Sequence, residues 1–377
     1  MFKNKTAIVS VINDLVTDQR VYRTCEVLHE LGYDITVVGR QLSSSPPLPQ
    51  WAWKAHRMRL LFTKGPLFYL FFNVRLFFFL LTRKRALLIA NDLDTLLPNY
   101  LVAKLKRAPL VYDSHELFCD VPELLNNPLK RRIWQWLEKQ LVPHVHHCIT
   151  VNESIATLFH ARYHVPFHVV RNVSNAPEQI VPPDKASLGF AAEWPLLILQ
   201  GAGINVGRGA EELILAMHHV AAGLLIIGGG DVWHALEALI QKERLSHKIK
   251  MIRRLPRHEL FGYTRLAAVG LSIDKPIALN YELSLPNKLF DYIQAGTPVL
   301  ASNMVEVAKI VNGYGVGRCI DQVNPETIAN ALHEMLQPEN QARYRAACEK
   351  AAVSLNWNQE KYALKEVLLK AVEAPSF

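Results

Sequence analysis

The chain has 377 residues, half of them hydrophobic and 20% charged, with 42 Lys+Arg against 34 Asp+Glu for a formal net charge of +8. That length predicts about two domains, and the apolar content with so modest a charge excludes an intrinsically disordered chain. Eighteen glycines, 21 prolines and five cysteines exclude collagen-like and disulfide-scaffold classes.

The cysteines (Cys25, Cys119, Cys148, Cys319, Cys348) are odd in number, scattered and free of any CxxC. A reducing compartment is the expectation. The apolar run after MFKNK breaks at Asn13-Asp14. It reads as a first buried strand rather than a secretory leader. From there strand-like and helix-like stretches alternate: TAIVSV (strand), Asp18–Leu31 (helix), DITVVG (strand), a Pro/Ser loop over 41–50, ALLIAND (strand), LDTLLPNYLVAKLKR (helix), APLVYDSHE (strand), HHCITVN (strand) and ESIATLFHARY (helix). A proline-rich connector over 175–195 follows. The alternation restarts with PLLILQ, GLLIIGGG, KIKMI, VGLSID and TPVLAS as strands. RGAEELILAMHHV, DVWHALEALIQKERL and NKLFDYIQAG read as helices, and WNQEKYALKEVLLKAV as a final one. Such alternation in both halves predicts an α/β protein of two doubly wound domains. In these sheets ligands sit beyond the carboxyl ends of the strands.

One stretch departs from this rhythm. The stretch from Trp51 to Arg85 packs six phenylalanines into Phe68–Phe79, flanked by Lys54, Arg57, Arg59, Lys64, Arg83, Lys84 and Arg85. Asn73 and Arg75 interrupt an apolar run shorter than the ~20 residues of a membrane span. As a helix it places Leu67, Leu70, Phe71, Val74 and Phe78 on one buried stripe. Phe68, Phe72 and Phe79 are left for other faces. A helix apolar nearly all round is buried or touches lipid. Basic flanks favour an anionic membrane surface. The charges do not interleave along a groove, so nucleic acid is not expected.

The strongest local signal is LSLPNKLFDYIQAGTPVLAS, Leu283–Ser302. Pro286 opens a helix, Asn287 sits at or near its N-cap, and the first-turn N–H groups are free to receive an anion. Lys288 adds a cation, and Asp291 one turn on can accept from sugar hydroxyls. On spacing alone, a well-capped unit with a surface Lys and Asp reads equally well. A Gly201-x-Gly203-xxx-Gly207 match to a dinucleotide fingerprint lacks its acid at the usual distance; Asp231 comes too late. The PHVHHC cluster, residues 143–148, feeds a strand and reads as structural.

These segments resemble the group 1 retaining glycosyltransferase family of GT-B fold, and in particular bacterial surface-polysaccharide glycosyltransferases. GINVGRGAEELILAM resembles its basic-Gly segment, with Arg208 the basic residue. LLIIGGGD resembles its second glycine-rich strand exit, and NMVEVAKIVNGYGVG its acidic stretch, with Glu306 in the acidic position. VYDSHELF resembles the acceptor-side exit where an active-site histidine lies, and His115 is the match. Two departures stand out: Leu283 replaces the first acid of the family pair, with Glu282 one position off, and Asn13-Asp14 stands where Gly-Gly is frequent.

The resemblance implies two Rossmann-like domains facing across a cleft. Residues 1–176 would bind acceptor and 190–350 the nucleotide-sugar donor, with 355–377 a helix packing back on the first domain. It implies transfer, with retention and without a metal or other cofactor, from a nucleotide-diphosphate sugar to a glycan or lipid-linked glycan. The setting would be surface-polysaccharide or lipopolysaccharide assembly, cytoplasmic and peripheral to the membrane through residues 51–85. Donor contacts fall to Arg208, Glu282, Asn287, Lys288, Asp291 and Glu306, with His115 catalytic. A GT-B-fold sugar-nucleotide epimerase and a non-catalytic nucleotide-sugar-binding paralogue are the alternatives.

Overall fold

A computed structural model describes residues 5–16, 18–173 and 175–373. Thirteen strands occur among them: β1 Thr6–Ser10, β2 Asp34–Gln41, β3 Lys54–Arg59, β4 Leu87–Asn91, β5 Leu110–Asp113, β6 His147–Thr150, β7 Phe167–Val169, β8 Leu196–Gly201, β9 Gly223–Gly228, β10 Ile249–Arg253, β11 Val269–Ser272, β12 Val299–Ser302 and β13 Gly317–Ile320. They form two wholly parallel sheets, ordered β3-β2-β1-β4-β5-β6-β7 and β10-β9-β8-β11-β12-β13. Each sheet grows outward in both directions from its first strand. The strand order therefore reverses between β1 and β4, and again between β8 and β11. In doubly wound sheets that reversal is where ligands bind.

The strands form here because their residues can be buried on both faces. In β8, Leu197 and Leu199 join one core with Leu224, Ile226 and Leu271, while the intervening Ile198 joins the other with Leu225, Ile227 and Ala301. β4 is buried along its whole length. The edge strand β3, KAHRMR, is half exposed and polar. It carries no apolar run, and for that reason the sequence pattern does not single it out.

The chain divides into two compact units. The first runs to Asn172 and resumes at Glu360; the second is Val173–Gln359. The last described helix, Trp357–Glu373, begins in the second unit and belongs mostly to the first. There Glu360 accepts from the Arg171 backbone N–H at 2.9 Å and from Arg171 Nε at 2.8 Å, and Glu30 takes Lys361 and Lys365. Residues 374–377 lie outside the described set.

The phenylalanine-rich helix is Gly65–Thr82, and its buried face is Phe68, Phe72, Leu76 and Leu80. This corrects the expected stripe. Leu67, Leu70, Val74 and Phe78 are the exposed residues. Both stripes are apolar, so periodicity gives no preference between them. The neighbouring helix Leu93–Lys106 settles the orientation: Asn73 Nδ2 donates to the Asp94 carbonyl at 2.9 Å, and Lys106 Nζ caps the Leu80 carbonyl at 3.0 Å.

Candidate functional site

In the second unit the exit of β8 is a glycine loop running from Gly201 to Gly209. Gly228 at the end of β9 packs so closely on it that a Cβ there would lie 1.8 Å from the Gly201 carbonyl oxygen. Gly209 has φ +72°, and a Cβ there would meet the Ile273 carbonyl at 2.3 Å. Only glycine lets these backbones touch. Their contact fixes where Arg208 is presented.

Arg208 and Lys288 come together, and a residue the sequence reading did not name joins them. Asp274, two residues past β11 and buried, accepts from Arg208 Nη1 at 2.8 Å and from Lys288 Nζ at 3.2 Å. The Arg208 guanidinium also lies over the Tyr281 ring, 4.0 Å from its centroid. Arg208 Nε is buried with no hydrogen-bond partner among the described residues. Burial lowers the Lys288 pKa from the usual lysine range; Asp274 opposes that shift and Arg208 adds to it. Two cations thus share one carboxylate beside the β8/β11 reversal, leaving one net positive charge.

The other residues expected to contact a donor take separate positions. Asn287 is the first residue of the helix Asn287–Gln294 and is exposed. Pro286 holds the cap position and no side chain caps the helix end, so Asn287 does not act as its cap. Asp291, a turn beyond Asn287, pairs with Arg257 at 3.5 Å. Glu306 is buried in the first turn of the helix Val305–Tyr314 and takes Lys309 at 2.6 Å. Glu282 is exposed and opens on a cavity of about 550 Å³ lined also by Lys275, Ser302, Asn303, Asp321 and Gln322. That is within the size range of small-molecule sites.

In the first unit His115 follows β5, and its partner again went unread in the sequence. Asp92, immediately after β4, accepts from the His115 backbone N–H at 3.3 Å and pairs through Oδ2 with His115 Nε2 at 3.1 Å. Nδ1 of the same ring is buried and unpartnered among the described residues. Asp92 belongs to an Asp92-Leu93-Asp94 step, an Asp-x-Asp that could have been read from the sequence as a clue. Burial pushes both carboxyls well above the ordinary range. Glu116, Asp113 and Asp18 add to this at Asp92, and Asp92 and Glu116 add at Asp94. Asp113 at the end of β5 is held by Arg20, Nε–Oδ2 2.8 Å and Nη2–Oδ1 2.7 Å. At the β1 exit, Asp14 pairs with Arg57 at 2.9 Å and accepts from the Ser45 hydroxyl, so the Asn13-Asp14 departure is a loop anchor.

The whole architecture is shared with solved structures. Sucrose-phosphate synthase from Thermosynechococcus elongatus superposes with a TM-score of 0.79 at 16% identity, over 97% of this chain and 99% of that one. A glycosyltransferase from Rickettsia africae gives 0.74 at 14%, over 99% and 100%. Anabaena HepE, solved in complex with UDP and glucose, gives 0.74 at 13%, over 97% and 100%. The fold is GT-B, two Rossmann-like parallel-sheet domains. Residues 17–176 match the glycosyl transferase 4-like domain and residues 195–353 the glycosyl transferases group 1 domain. Together these stretches take in most of the chain, which belongs to the group 1 glycosyltransferase family. No curated protein matches it in sequence.

Proposed function

We propose that the protein is a retaining glycosyltransferase that moves a sugar from a nucleoside-diphosphate sugar to a hydroxyl of a glycan or lipid-linked glycan. The observation that carries the reading is the convergence of Arg208 and Lys288 on Asp274 at a strand-order reversal. When the bond from the sugar C1 to the diphosphate breaks, negative charge develops on the departing phosphate. Two charge-carrying donors held in a partly dry site stabilise it without needing a metal. The acceptor oxygen bonds C1 on the face the phosphate leaves, and its proton passes to the leaving phosphate. Asp291 suits the ribose hydroxyls, and Glu282, on the ~550 Å³ cavity, suits the transferred sugar.

The setting we infer is surface-polysaccharide or lipopolysaccharide assembly at the cytoplasmic face of a membrane. One structural neighbour supports it, WaaG, a glycosyltransferase involved in lipopolysaccharide biosynthesis, while HepE, solved with UDP-glucose, supports the nucleotide-sugar donor. WaaG superposes with a TM-score of 0.68 at 13% identity, over 96% of this chain and 99% of that one. No helix among the described residues is long and apolar enough to cross a membrane. The exposed face of Gly65–Thr82, with Arg83, Lys84 and Arg85 after it, instead suits an anionic lipid surface.

Thermal shift with UDP, GDP, ADP and CDP tests the class and identifies the base together. At a hundred times Kd a bound nucleotide stabilises by about 2.7 kcal/mol, a visible rise in Tm. The absence of a shift with every nucleotide would sink the reading. Turnover is then followed by NMR of the anomeric carbon with and without chelator. Product of unchanged anomeric configuration, formed in the presence of chelator, is expected. Donor isomerised with no acceptor present would mark the epimerase alternative, and binding without turnover the non-catalytic paralogue.

A further inference from the structure

We propose that Asp92 is a positioning residue for His115, fixing the orientation of the imidazole with its proton on Nε2 and Nδ1 bare. That this orientation serves sugar transfer rests on the glycosyltransferase reading above; the tautomer itself does not.

The argument begins with the backbone. Asp92 has φ +60° and ψ 167°, a region occupied almost only by glycine, at a cost of roughly 1–3 kcal/mol for a side-chain-bearing residue. The turn is enforced on both sides. Asp92 N–H donates to the Asp113 carbonyl at 2.8 Å, and Thr95 Oγ1 donates to the carbonyls of Asn91 and Asp92 at 2.7 and 3.3 Å. Glycine would relieve the strain, yet a carboxylate stands there among acids. Glu116, Asp113 and Asp18 all disfavour its charge, and Asp94 lies two residues on. As N-cap of the helix Leu93–Lys106 an aspartate gains from the helix dipole, but its side chain makes no capping hydrogen bond, so capping does not explain where its oxygens point.

Its geometry gives a reason. Both carboxylate oxygens are directed at one residue, Oδ1 to the His115 backbone N–H and Oδ2 to the His115 ring. With Asp92 ionised both oxygens accept, the ring nitrogen facing Oδ2 carries the proton and Nδ1 is a bare lone pair; a protonated Asp92, which burial favours, would instead donate to Nε2 and leave the ring proton on Nδ1. That opposite tautomer would strand an N–H in the buried position where Nδ1 has no partner, and an orphaned buried N–H is the rarer and costlier defect. A carboxylate that fixes backbone and ring of the same histidine sets both its orientation and its tautomer, as in other carboxylate–imidazole pairs.

The test uses the full-length protein with 15N-labelled histidine. Long-range 1H–15N spectra distinguish protonated from bare ring nitrogens, with His115→Gln assigning the signals. The wild type should show bare Nδ1 and protonated Nε2. Asp92→Gly should average the two tautomers or invert them. An Nδ1–H wild type, or an unchanged tautomer in Asp92→Gly, overturns the proposal whether or not the protein turns over any sugar nucleotide. If turnover is found, Asp92→Gly and Asp92→Asn should each lower kcat about a hundredfold, with donor KM within threefold. Combining either with His115→Ala should cost little beyond His115→Ala alone. Asp92→Gly should also melt no lower than wild type, separating function from folding. A kcat within threefold of wild type in both Asp92 variants overturns the assignment.

Discussion

Asp274 holds two cations that would otherwise repel each other, and diphosphate oxygens are the chemical equivalent of its own. Replacing Arg208 or Lys288 with Ala should remove a charge-assisted contact of about 1.5–3 kcal/mol. Calorimetry should then read a ten- to hundredfold loss in nucleoside-diphosphate affinity. Unchanged affinity in both variants would refute their role. Asp274→Asn should destabilise the apo protein by about 3 kcal/mol, since two half-buried cations lose their counter-charge, and added nucleotide should recover more Tm there than in wild type. A second residue-scale expectation concerns pH. The Asp94 carboxyl is raised by burial and by Asp92 and Glu116, and one of its oxygens has no partner among the described residues. A raised acid contributes stability that is present below its unfolded value near 3.8 and lost as pH rises through its folded value. Asp94→Asn should therefore gain on wild type in melting scans as pH rises above the unfolded value toward the raised folded one. A difference that is flat or falling with pH would place the carboxyl's strain elsewhere. The cations were legible because a basic residue before glycine and a lysine after Pro-Asn stand out in sequence. Their counter-ion Asp274 was not, and the Asp-x-Asp at Asp92 marks an acidic pair without naming His115 as its partner. A carboxylate's partner is decided by which strands become neighbours, here β8 beside β11 and β4 beside β5, and no local spacing encodes that.

At the scale of elements, most buried parallel strands could be read directly, because both their faces demand apolar residues. The helices between them were readable where one face is polar. Gly65–Thr82 was misread for the complementary reason: its apolar character runs around the circumference, so sequence fixes that it is a helix but not which side is inside. What remains outside is an exposed strip, Leu67, Leu70, Val74, Phe78 and Leu81, ending at exposed Arg83, Lys84 and Arg85. Each Lys or Arg near an anionic surface contributes about 1 kcal/mol. The protein should co-sediment with vesicles containing anionic lipid, and release as salt rises. Changing Arg83, Lys84 and Arg85 to Glu should abolish the effect. Wild type remaining in the supernatant at low salt would show that the strip does not engage lipid.

For the whole molecule, the notable feature is how the chain passes between its two units. It leaves the first unit after Asn172 and returns at Glu360, and the two passages are tied on both sides. In the first unit Glu360 receives Arg171; in the second, Asn175 Oδ1 accepts from the Trp357 N–H at 2.9 Å and Asn175 Nδ2 donates to Asn358 Oδ1 at 3.2 Å. Glu360→Ala leaves the Arg171 guanidinium without its carboxylate and should cost about 1.5–3 kcal/mol, read as a lower urea midpoint. An unaltered midpoint would mean that helix packing, not this pair, retains the C-terminal segment.

Those ties have a consequence for inheritance. Since departure and return lie side by side, the intervening segment resembles a cassette whose two ends meet, and loop closure is the same for any substitute with matching ends. Recombination at just these two points could graft a second unit from a relative onto an unchanged first unit. A lineage could in this way exchange its whole second unit in one genetic step while keeping the helix Gly65–Thr82 and His115 intact.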